Sequence, residues 1–241
     1  MKYSIKGWVK NSFCDWDSKI TSVIFLTGCN LRCPFCQNWQ LIQEPQNFED
    51  IDLGVIKEYL DENKDFIDGV VITGGEPFVS DFIFDIIREI KKINMAVKVD
   101  TNGTFPDKLK FLIDSCLIDG VAMDIKNAFE PQLYSMTSGI LVDDKMLGNI
   151  LSSAKIVMNS GIDYEFRTTL VRSFHTIENI RQIAMVLKGA KKYVLQQYRK
   201  IGVRDDFDGG IPFSREEMEK FRQEVSNFFE KCCIRYYDRD T

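Results

Sequence analysis

Three cysteines stand close together in the stretch LTGCNLRCPFCQNW, which covers residues 26–39. Cys29, Cys33 and Cys36 have the spacing C-x3-C-x2-C, and no fourth cysteine or histidine lies nearby. A structural zinc site takes four ligands, usually as two pairs separated by a dozen or more residues, and the second pair is missing here. Three thiolates on one loop suit an iron-sulfur cubane whose fourth iron stays open. On spacing alone zinc, a cluster and ordinary thiols all remain possible, and the missing fourth ligand favours the cluster.

A carboxylate follows two glycines in the stretch TGGEP, residues 73–77. Gly74 and Gly75 let the backbone approach a ligand closely, and Glu76 can accept hydrogen bonds from an ammonium group. A plain turn between a strand and a helix is the alternative for the two glycines. Other predicted strands also end in polar residues, which are Asp100, Thr101, Asn102, Asp124, Lys126, Arg167, Gln196 and Arg199.

These motifs together resemble a known superfamily. CNLRCPFC, TGGEP, VDTNG and MDIK are similar to the motifs of radical S-adenosylmethionine (radical SAM) enzymes, and within them of the activating enzymes of glycyl-radical enzymes. The resemblance covers about residues 5–200 and is strongest to the activases of anaerobic ribonucleoside-triphosphate reductase, with pyruvate formate-lyase activases next. It implies a 4Fe–4S cluster on Cys29, Cys33 and Cys36, with the methionine part of S-adenosylmethionine on the open iron. In such enzymes the cluster reduces the sulfonium, and the resulting 5'-deoxyadenosyl radical abstracts a hydrogen atom.

The resemblance also implies roles for single residues. Glu76 would bind the methionine amine, Lys126 would meet the methionine carboxylate, and Phe35 would lie beside the cluster and adenine. For Phe35 the alternative is a loop residue packed into the core; for Lys126 it is an exposed lysine. Arg199 stands where pyruvate formate-lyase activases carry a histidine. The full set expected to contact the cofactor is Phe35, Gly74, Gly75, Glu76, Asp100, Asn102, Lys126, Arg167 and Arg199.

Four residues match the monovalent-cation site of pyruvate formate-lyase activases, namely Asp100, Thr101, Met123 and Asp124. Two carboxylates facing that of the cofactor would repel one another unless a cation or a proton intervened. Hard oxygen ligands suit an alkali or alkaline-earth ion, and Met123 would offer its carbonyl. The alternative is that Asp100 bonds Asn102 or caps a turn, while Asp124 pairs with Lys126.

Three remaining residues carry no assigned chemistry. His175, the only histidine, precedes a predicted helix and is expected to be a surface loop residue. Cys232 and Cys233 lie beyond the resemblance, and we interpret them as ordinary thiols.

The residues above are positioned by six short β-branched or aromatic runs that alternate with amphipathic stretches. The runs cover residues 22–28, 69–75, 95–103, 120–126, 163–171 and 192–198. This alternation predicts parallel strands with helical crossovers. Polar residues at the ends of many strands favour an incomplete (β/α)6 TIM-like barrel with outer helices over an open sheet, which concentrates its site at one switch point. We predict one domain, residues 1–241, with a core at about 20–200 and a C-terminal helix at about 214–230 opened by the capping box of Ser214 and Glu217.

Composition narrows the function further. A net charge of −5 and a pI near 5.1 argue against nucleic acid as a partner. No apolar run approaches the roughly 20 residues that span a bilayer, and the N-terminus lacks a signal-peptide pattern, so a cytoplasmic enzyme is expected. The predicted function is an activase that installs a glycyl radical on a partner, anaerobic ribonucleotide reductase, with flavodoxin or ferredoxin as reductant. The alternatives are a radical SAM enzyme acting on a small molecule or peptide, and a noncatalytic metal-binding module.

Overall fold

The computed structural model describes residues 4–236 of the chain, which form eight strands and eight α-helices. The strands are β1 Ile5–Ser12, β2 Thr21–Leu26, β3 Gly69–Gly74, β4 Ala96–Thr101, β5 Gly120–Asp124, β6 Asp163–Leu170, β7 Lys192–Gln197 and β8 Lys231–Arg235. The helices are α1 Trp39–Gln43, α2 Leu53–Glu62, α3 Phe82–Lys91, α4 Pro106–Asp114, α5 Pro131–Ser138, α6 Asp144–Met158, α7 Ile177–Val186 and α8 Arg215–Val225. The strands form a mostly parallel sheet whose order follows the chain, from β1 to β8. No helix within residues 4–236 is long and apolar enough to cross a membrane.

The chain divides into two compact units. The first consists of the residues up to 30, 38–101 and 107–122, and the second of 31–37, 102–106 and the residues from 123 onwards. In the first unit β1 runs antiparallel to β2, while β2, β3 and β4 are parallel, with Ile24 opposite Ile72 and Ile72 opposite Val99. These three side chains are fully buried. The core of this unit is therefore built from the β-branched runs that were predicted to be strands.

Helix α3 shows how this unit covers its sheet. Its isoleucines at 83, 86, 87 and 90 recur at helical spacing, and all four are fully buried. Residues three and four apart share one face of a helix, so this face is apolar throughout. Its basic last turn, Arg88 and Lys91, suits the negative end of the helix dipole.

In the second unit β6, β7 and β8 are parallel, with Phe166 opposite Tyr193 and Tyr193 opposite Cys232. Two helices here begin with complete capping boxes: Thr176 with Asn179 at α7, and Ser214 with Glu217 at α8. The box at Ser214 was predicted. The helix that it opens ends at Val225 and continues as a 3-10 turn over Ser226–Phe228, close to the predicted end.

The predicted α/β class with parallel strands is confirmed, but the sequence underestimated the number of strands. Strand β1 was not predicted because residues 8–11 are all half-buried or exposed, with Val9 44% exposed, so apolar and polar residues do not alternate clearly. Strand β8 has only five residues, none of them buried. Both give weak patterns because a strand with little burial has little reason to be apolar. Helices α1 and α5 have only five and eight residues, which hold too few turns to show a helical period in the sequence.

Candidate active site

In the first unit, the two glycines of TGGEP lie against the end of β2. Gly75 N–H donates to the Leu26 carbonyl and Glu76 N–H donates to the Gly28 carbonyl, both at 2.9 Å. Gly74 has a φ of +113°, a region that favours glycine, and a Cβ on Gly75 would collide with the Gly28 carbonyl oxygen. Neither position therefore tolerates a side chain. The close approach also lets the Glu76 backbone bond to Gly28, the residue before Cys29.

Glu76 is a buried carboxylate with an ordered oxygen. Only 1% of its surface is exposed, and Oε1 accepts hydrogen bonds from Phe78 N–H at 3.1 Å and from the Thr101 hydroxyl at 2.9 Å. Donors of this kind stabilise the ionised form and fix the plane of the carboxylate. Glu76 is thus oriented before any ligand arrives.

Two further residues of the first unit support this region, and sequence reasoning assigned a role to neither. Asn38 donates from Nδ2 to the Gly74 carbonyl at 2.7 Å. Lys98 is 3% exposed; its Nζ lies 2.5 Å from the Asp15 carbonyl oxygen and 3.9 Å from Asp100 Oδ1. In the sequence, the only indications of these roles were that Asn38 follows the third cysteine by two positions and that Lys98 lies inside an apolar predicted strand. Asp100 therefore faces an ammonium group within its own unit.

In the second unit, Asp124 lies between two cations. Its Oδ1 accepts from Arg167 Nε at 2.7 Å and its Oδ2 accepts from Lys126 Nζ at 2.9 Å. Burial disfavours the charged carboxylate, but the two cations outweigh burial and hold the pKa of Asp124 well below its ordinary value. Burial likewise opposes the charge on Lys126, and the neighbouring Asp124 carboxylate keeps the pKa of that lysine above its usual range. The pairing of Asp124 with Lys126 that the sequence offered as an alternative is present.

Arg167 continues this charged row along β6. Its NH1 lies 4.0 Å from Glu165 Oε1, and Glu165 also meets Lys192 Nζ at 2.5 Å and Arg235 NH2 at 3.5 Å. The Glu165 side chain is 5% exposed, so these contacts are largely shielded from water. Arg167 is thereby held at both sides, which fixes the guanidinium that contacts Asp124.

The cysteine loop of the second unit is packed by aromatic rings. Cys36 N–H donates to the Cys33 carbonyl at 3.1 Å, which closes a turn around Phe35. Phe35 is buried with Val171, Tyr198 and Val203, and Cys33 packs against this cluster. Burial raises the pKa of the Cys33 thiol to about 11, although Lys126 opposes the shift. Phe35 is thus a core residue of its unit, as the alternative reading had it, and its contact with adenine stays a prediction.

Asn102, Met123 and Arg199 are the remaining predicted site residues of the second unit. Asn102 Oδ1 accepts from the backbone N–H and the hydroxyl of Thr104, at 3.0 and 2.7 Å, so this side chain caps a turn. Met123 is fully buried, with its sulfur and methyl group against Gly103, where a Cβ would collide with the methyl group. Arg199 is half-buried just after β7. The packing of the Met123 sulfur leaves its carbonyl as the better ligand for a hard ion.

The expectation for His175 is wrong. The residue is 3% exposed, because the turn between β6 and α7 folds its imidazole inwards onto the carbonyl of Lys126. Cys232 and Cys233 lie on β8 and are half-buried. Burial and the neighbouring Cys233 raise the pKa of Cys232 to about 12, so this thiol is protonated at neutral pH, in agreement with an ordinary thiol.

The residues present fit an iron-sulfur cluster. None of the seven cysteines, all of which the structure describes, forms a disulfide bond, and Cys29, Cys33 and Cys36 offer three soft ligands on eight consecutive residues. Among residues 4–236 no three His, Cys, Asp or Glu side chains are arranged to hold a single metal ion. A cubane does not need such a group, since each cysteine binds a different iron.

The chain is similar to known proteins of one chemical class. Residues 23–139 match the family model of the radical SAM superfamily. A Methanocaldococcus jannaschii protein named as a glycyl-radical enzyme activating enzyme is 32% identical over 240 residues, which covers 98% of this chain and 97% of the relative. The pyruvate formate-lyase-activating enzyme of Clostridium pasteurianum is 25% identical over 224 residues, 88% of this chain and 89% of the relative.

A solved structure shares the fold. Streptococcus suis SuiB superposes with a TM-score of 0.68 at 15% sequence identity, over 90% of this chain and 49% of SuiB. At this identity the likeness concerns the fold alone. It supports the predicted fold class, and the sequence relatives support the predicted family.

Proposed function

Because the chain belongs to the radical SAM superfamily and, within it, to the glycyl-radical enzyme activating enzymes, we propose that it installs a glycyl radical on anaerobic ribonucleoside-triphosphate reductase. The observation that carries the proposal is the match to an activating enzyme along 98% of the chain, which includes every motif of the candidate site. The resemblance of about residues 5–200 to the activases of that reductase supports this choice of partner. A flavodoxin or a ferredoxin is the proposed reductant.

The chain's own residues divide the work of binding. Cys29, Cys33 and Cys36 would hold the 4Fe–4S cluster as thiolates, and the positive charge of the iron would stabilise the Cys33 thiolate, which burial otherwise disfavours. When bound, the cluster and S-adenosylmethionine supply one-electron reduction and a carbon-centred radical that abstracts hydrogen. Glu76, already oriented by Thr101, would accept hydrogen bonds from the methionine ammonium. Lys126 would meet the methionine carboxylate as a point charge.

The test separates three outcomes. Anaerobically reconstituted protein is mixed with S-adenosylmethionine, a reductant and the reductase, and electron paramagnetic resonance and 5'-deoxyadenosine are measured together. We expect a glycyl doublet on the reductase only when all components are present. Cleavage without a doublet on any glycyl-radical protein of the same cell would favour action on a small molecule or peptide. Absence of 5'-deoxyadenosine under reduction would favour a noncatalytic metal-binding module.

A further inference from the structure

The chain's only histidine bridges two backbone groups beside the candidate site. Nε2 of His175 lies 2.9 Å from the Lys126 carbonyl oxygen, and Nδ1 lies 3.0 Å from Val171 N. Lys126 follows β5, whereas Val171 follows β6. The imidazole therefore ties the peptide of Lys126 to the end of the next strand.

These contacts define the tautomer of the imidazole. A backbone N–H can only donate and a carbonyl oxygen can only accept, so Nδ1 accepts from Val171 and Nε2–H donates to Lys126. With a proton on Nδ1, two N–H groups would face each other at Val171 and two lone pairs at Lys126. The Val171 carbonyl, 3.3 Å from Nδ1, already accepts from the backbone N–H groups of Phe174 and His175. Burial also lowers the pKa of His175, which favours the neutral ring.

The same peptide is held from its other side. The backbone N–H of Lys126 donates to the hydroxyl of Tyr134 at 3.3 Å, and Tyr134 is fully buried in α5. Next to it, Asn127 donates from Nδ2 to the Phe174 carbonyl at 3.3 Å. Both polar groups of the Lys126 backbone thus end on buried side chains from two different elements, a position that allows little rotation.

The turn that carries His175 also contacts the cysteine loop. The Phe174 ring lies 6.1 Å from the Phe35 ring, measured between centroids, and it packs on the aromatic cluster that includes Cys33. One turn therefore contacts the Lys126 peptide through His175 and the cysteine loop through Phe174. Without the imidazole, the Lys126 backbone could shift relative to the cysteine loop.

We propose that His175 is a positioning residue, whose neutral Nε2–H imidazole, together with the Tyr134 hydroxyl, sets the direction of Lys126 toward the cofactor's carboxylate. The inference rests on the proposed function, because it takes Lys126 as the ligand of that carboxylate. His175 itself contacts backbone only and moves no proton. Its contribution is to reduce the number of positions that the Lys126 ammonium can occupy before the cofactor binds.

Nitrogen-15 NMR of the 241-residue chain tests the tautomer directly, because histidine labelling of this chain gives the signals of a single imidazole. At pH 7 we expect one protonated and one unprotonated nitrogen, with the coupling pattern of the Nε2–H form. An Nδ1–H ring or a doubly protonated ring would overturn the proposal. This measurement needs no substitution, so it does not depend on the folding of any variant.

Two substitutions then separate positioning from support of the fold. His175→Gln places an amide donor near the Nε2 position and keeps the bond to Lys126, whereas His175→Asn reaches only the Nδ1 position and keeps the bond to Val171. Each variant leaves one backbone group without its partner. We expect His175→Asn to weaken S-adenosylmethionine binding about 10-fold and His175→Gln less than about 3-fold, as the loss of roughly one hydrogen bond implies. Equal effects would show a structural role and overturn the proposal.

A matched tyrosine pair provides the control. Tyr134→Phe removes a hydroxyl that accepts from Lys126 N–H, and Tyr164→Phe removes a buried hydroxyl that accepts from Lys191 N–H at 3.0 Å. Only Tyr134→Phe should weaken cofactor binding, by about 5-fold, and equal weakening in both would contradict the inference. Binding is measured by equilibrium dialysis on cluster-loaded enzyme without reductant. Failure of glycyl-radical formation would therefore leave these results standing.

Discussion

The hydroxyl of Thr101 donates a hydrogen bond of 2.9 Å to Oε1 of Glu76, joining the end of β4 to the loop after β3. Thr101 is 3% exposed and Glu76 1%, so water does not replace this bond readily. The bond orients the one carboxylate that the proposed function assigns to the methionine ammonium. Thr101 was predicted as a cation ligand, and the structure adds this second task.

Replacing Thr101 tests that task. Thr101→Val keeps the shape but removes the donor, and we expect S-adenosylmethionine to bind about 5- to 10-fold more weakly, corresponding to about 1 kcal/mol. Thr101→Ser keeps a hydroxyl and should bind within about 3-fold of wild type. Equilibrium dialysis on cluster-loaded enzyme provides the measurement. Equal affinities for wild type and Thr101→Val would show that Glu76 needs no help from this hydroxyl.

Iron content tests the cluster. One cubane on Cys29, Cys33 and Cys36 predicts about four irons per chain, since the remaining cysteines have no cluster spacing. Alanine at any of the three should abolish cofactor cleavage, whereas Cys232→Ala should leave both iron and cleavage unchanged. Iron analysis after anaerobic reconstitution is the readout. A value near eight irons would require a second cluster and contradict the assignment.

Tyr198 provides a test of stability. It is 2% exposed, and its hydroxyl has no hydrogen-bond partner within residues 4–236. Because a buried hydroxyl without a partner is costly, Tyr198→Phe should leave the free energy of unfolding unchanged or raise it by about 1 kcal/mol. Urea unfolding of the apoprotein measures it.

Tyr193→Phe is the matched control for that experiment. The Tyr193 hydroxyl donates to Thr168 Oγ1 at 2.8 Å, and the residue is fully buried. Loss of this hydrogen bond should lower the free energy of unfolding by about 1 kcal/mol. If both variants were destabilised alike, the Tyr198 hydroxyl would have a partner such as an ordered water.

Strands, helix caps and the residue types of the site depend on a few neighbouring positions in this chain. The six buried strands and the capping box of Ser214 were predictable, because β-branched runs and cap residues act over a few positions. The types of residue at the site were predictable for the same reason: Cys29, Glu76 and Lys126 lie in short motifs. A short motif does not predict which residue each of these side chains contacts through a hydrogen bond or an ion pair.

Long-range contacts account for what was missed. The contact of Arg167 with the cofactor stays a prediction, but its hydrogen bond to Asp124 was not predicted, because the two residues lie 43 positions apart in the chain. His175 was expected at the surface because it precedes a predicted helix, and the two residues that follow it, Thr176 and Ile177, are exposed in the structure. Its burial depends on a carbonyl 49 residues earlier in the chain. No periodic pattern contains such a pairing.

A monovalent cation is expected at Asp100, Thr101, Met123 and Asp124. The two carboxylates already have cationic neighbours in the structure, because Arg167 and Lys126 contact Asp124 and Lys98 Nζ lies 3.9 Å from Asp100 Oδ1. Neutralisation alone therefore no longer requires an ion, and coordination by hard oxygens becomes the remaining reason for one.

We still expect the rate of cofactor cleavage to depend on which monovalent cation is present. A bound ion would be selected by size, so sodium, potassium and tetramethylammonium at matched ionic strength should give different rates. Asp124→Asn should weaken cofactor binding as well as this dependence, because it also releases Arg167 and Lys126. Asp100→Asn, which leaves those two contacts in place, should reduce mainly the dependence on the cation. Identical rates of wild type in the three salts would remove the ion from the mechanism, and the charges of Arg167, Lys126 and Lys98 would then suffice.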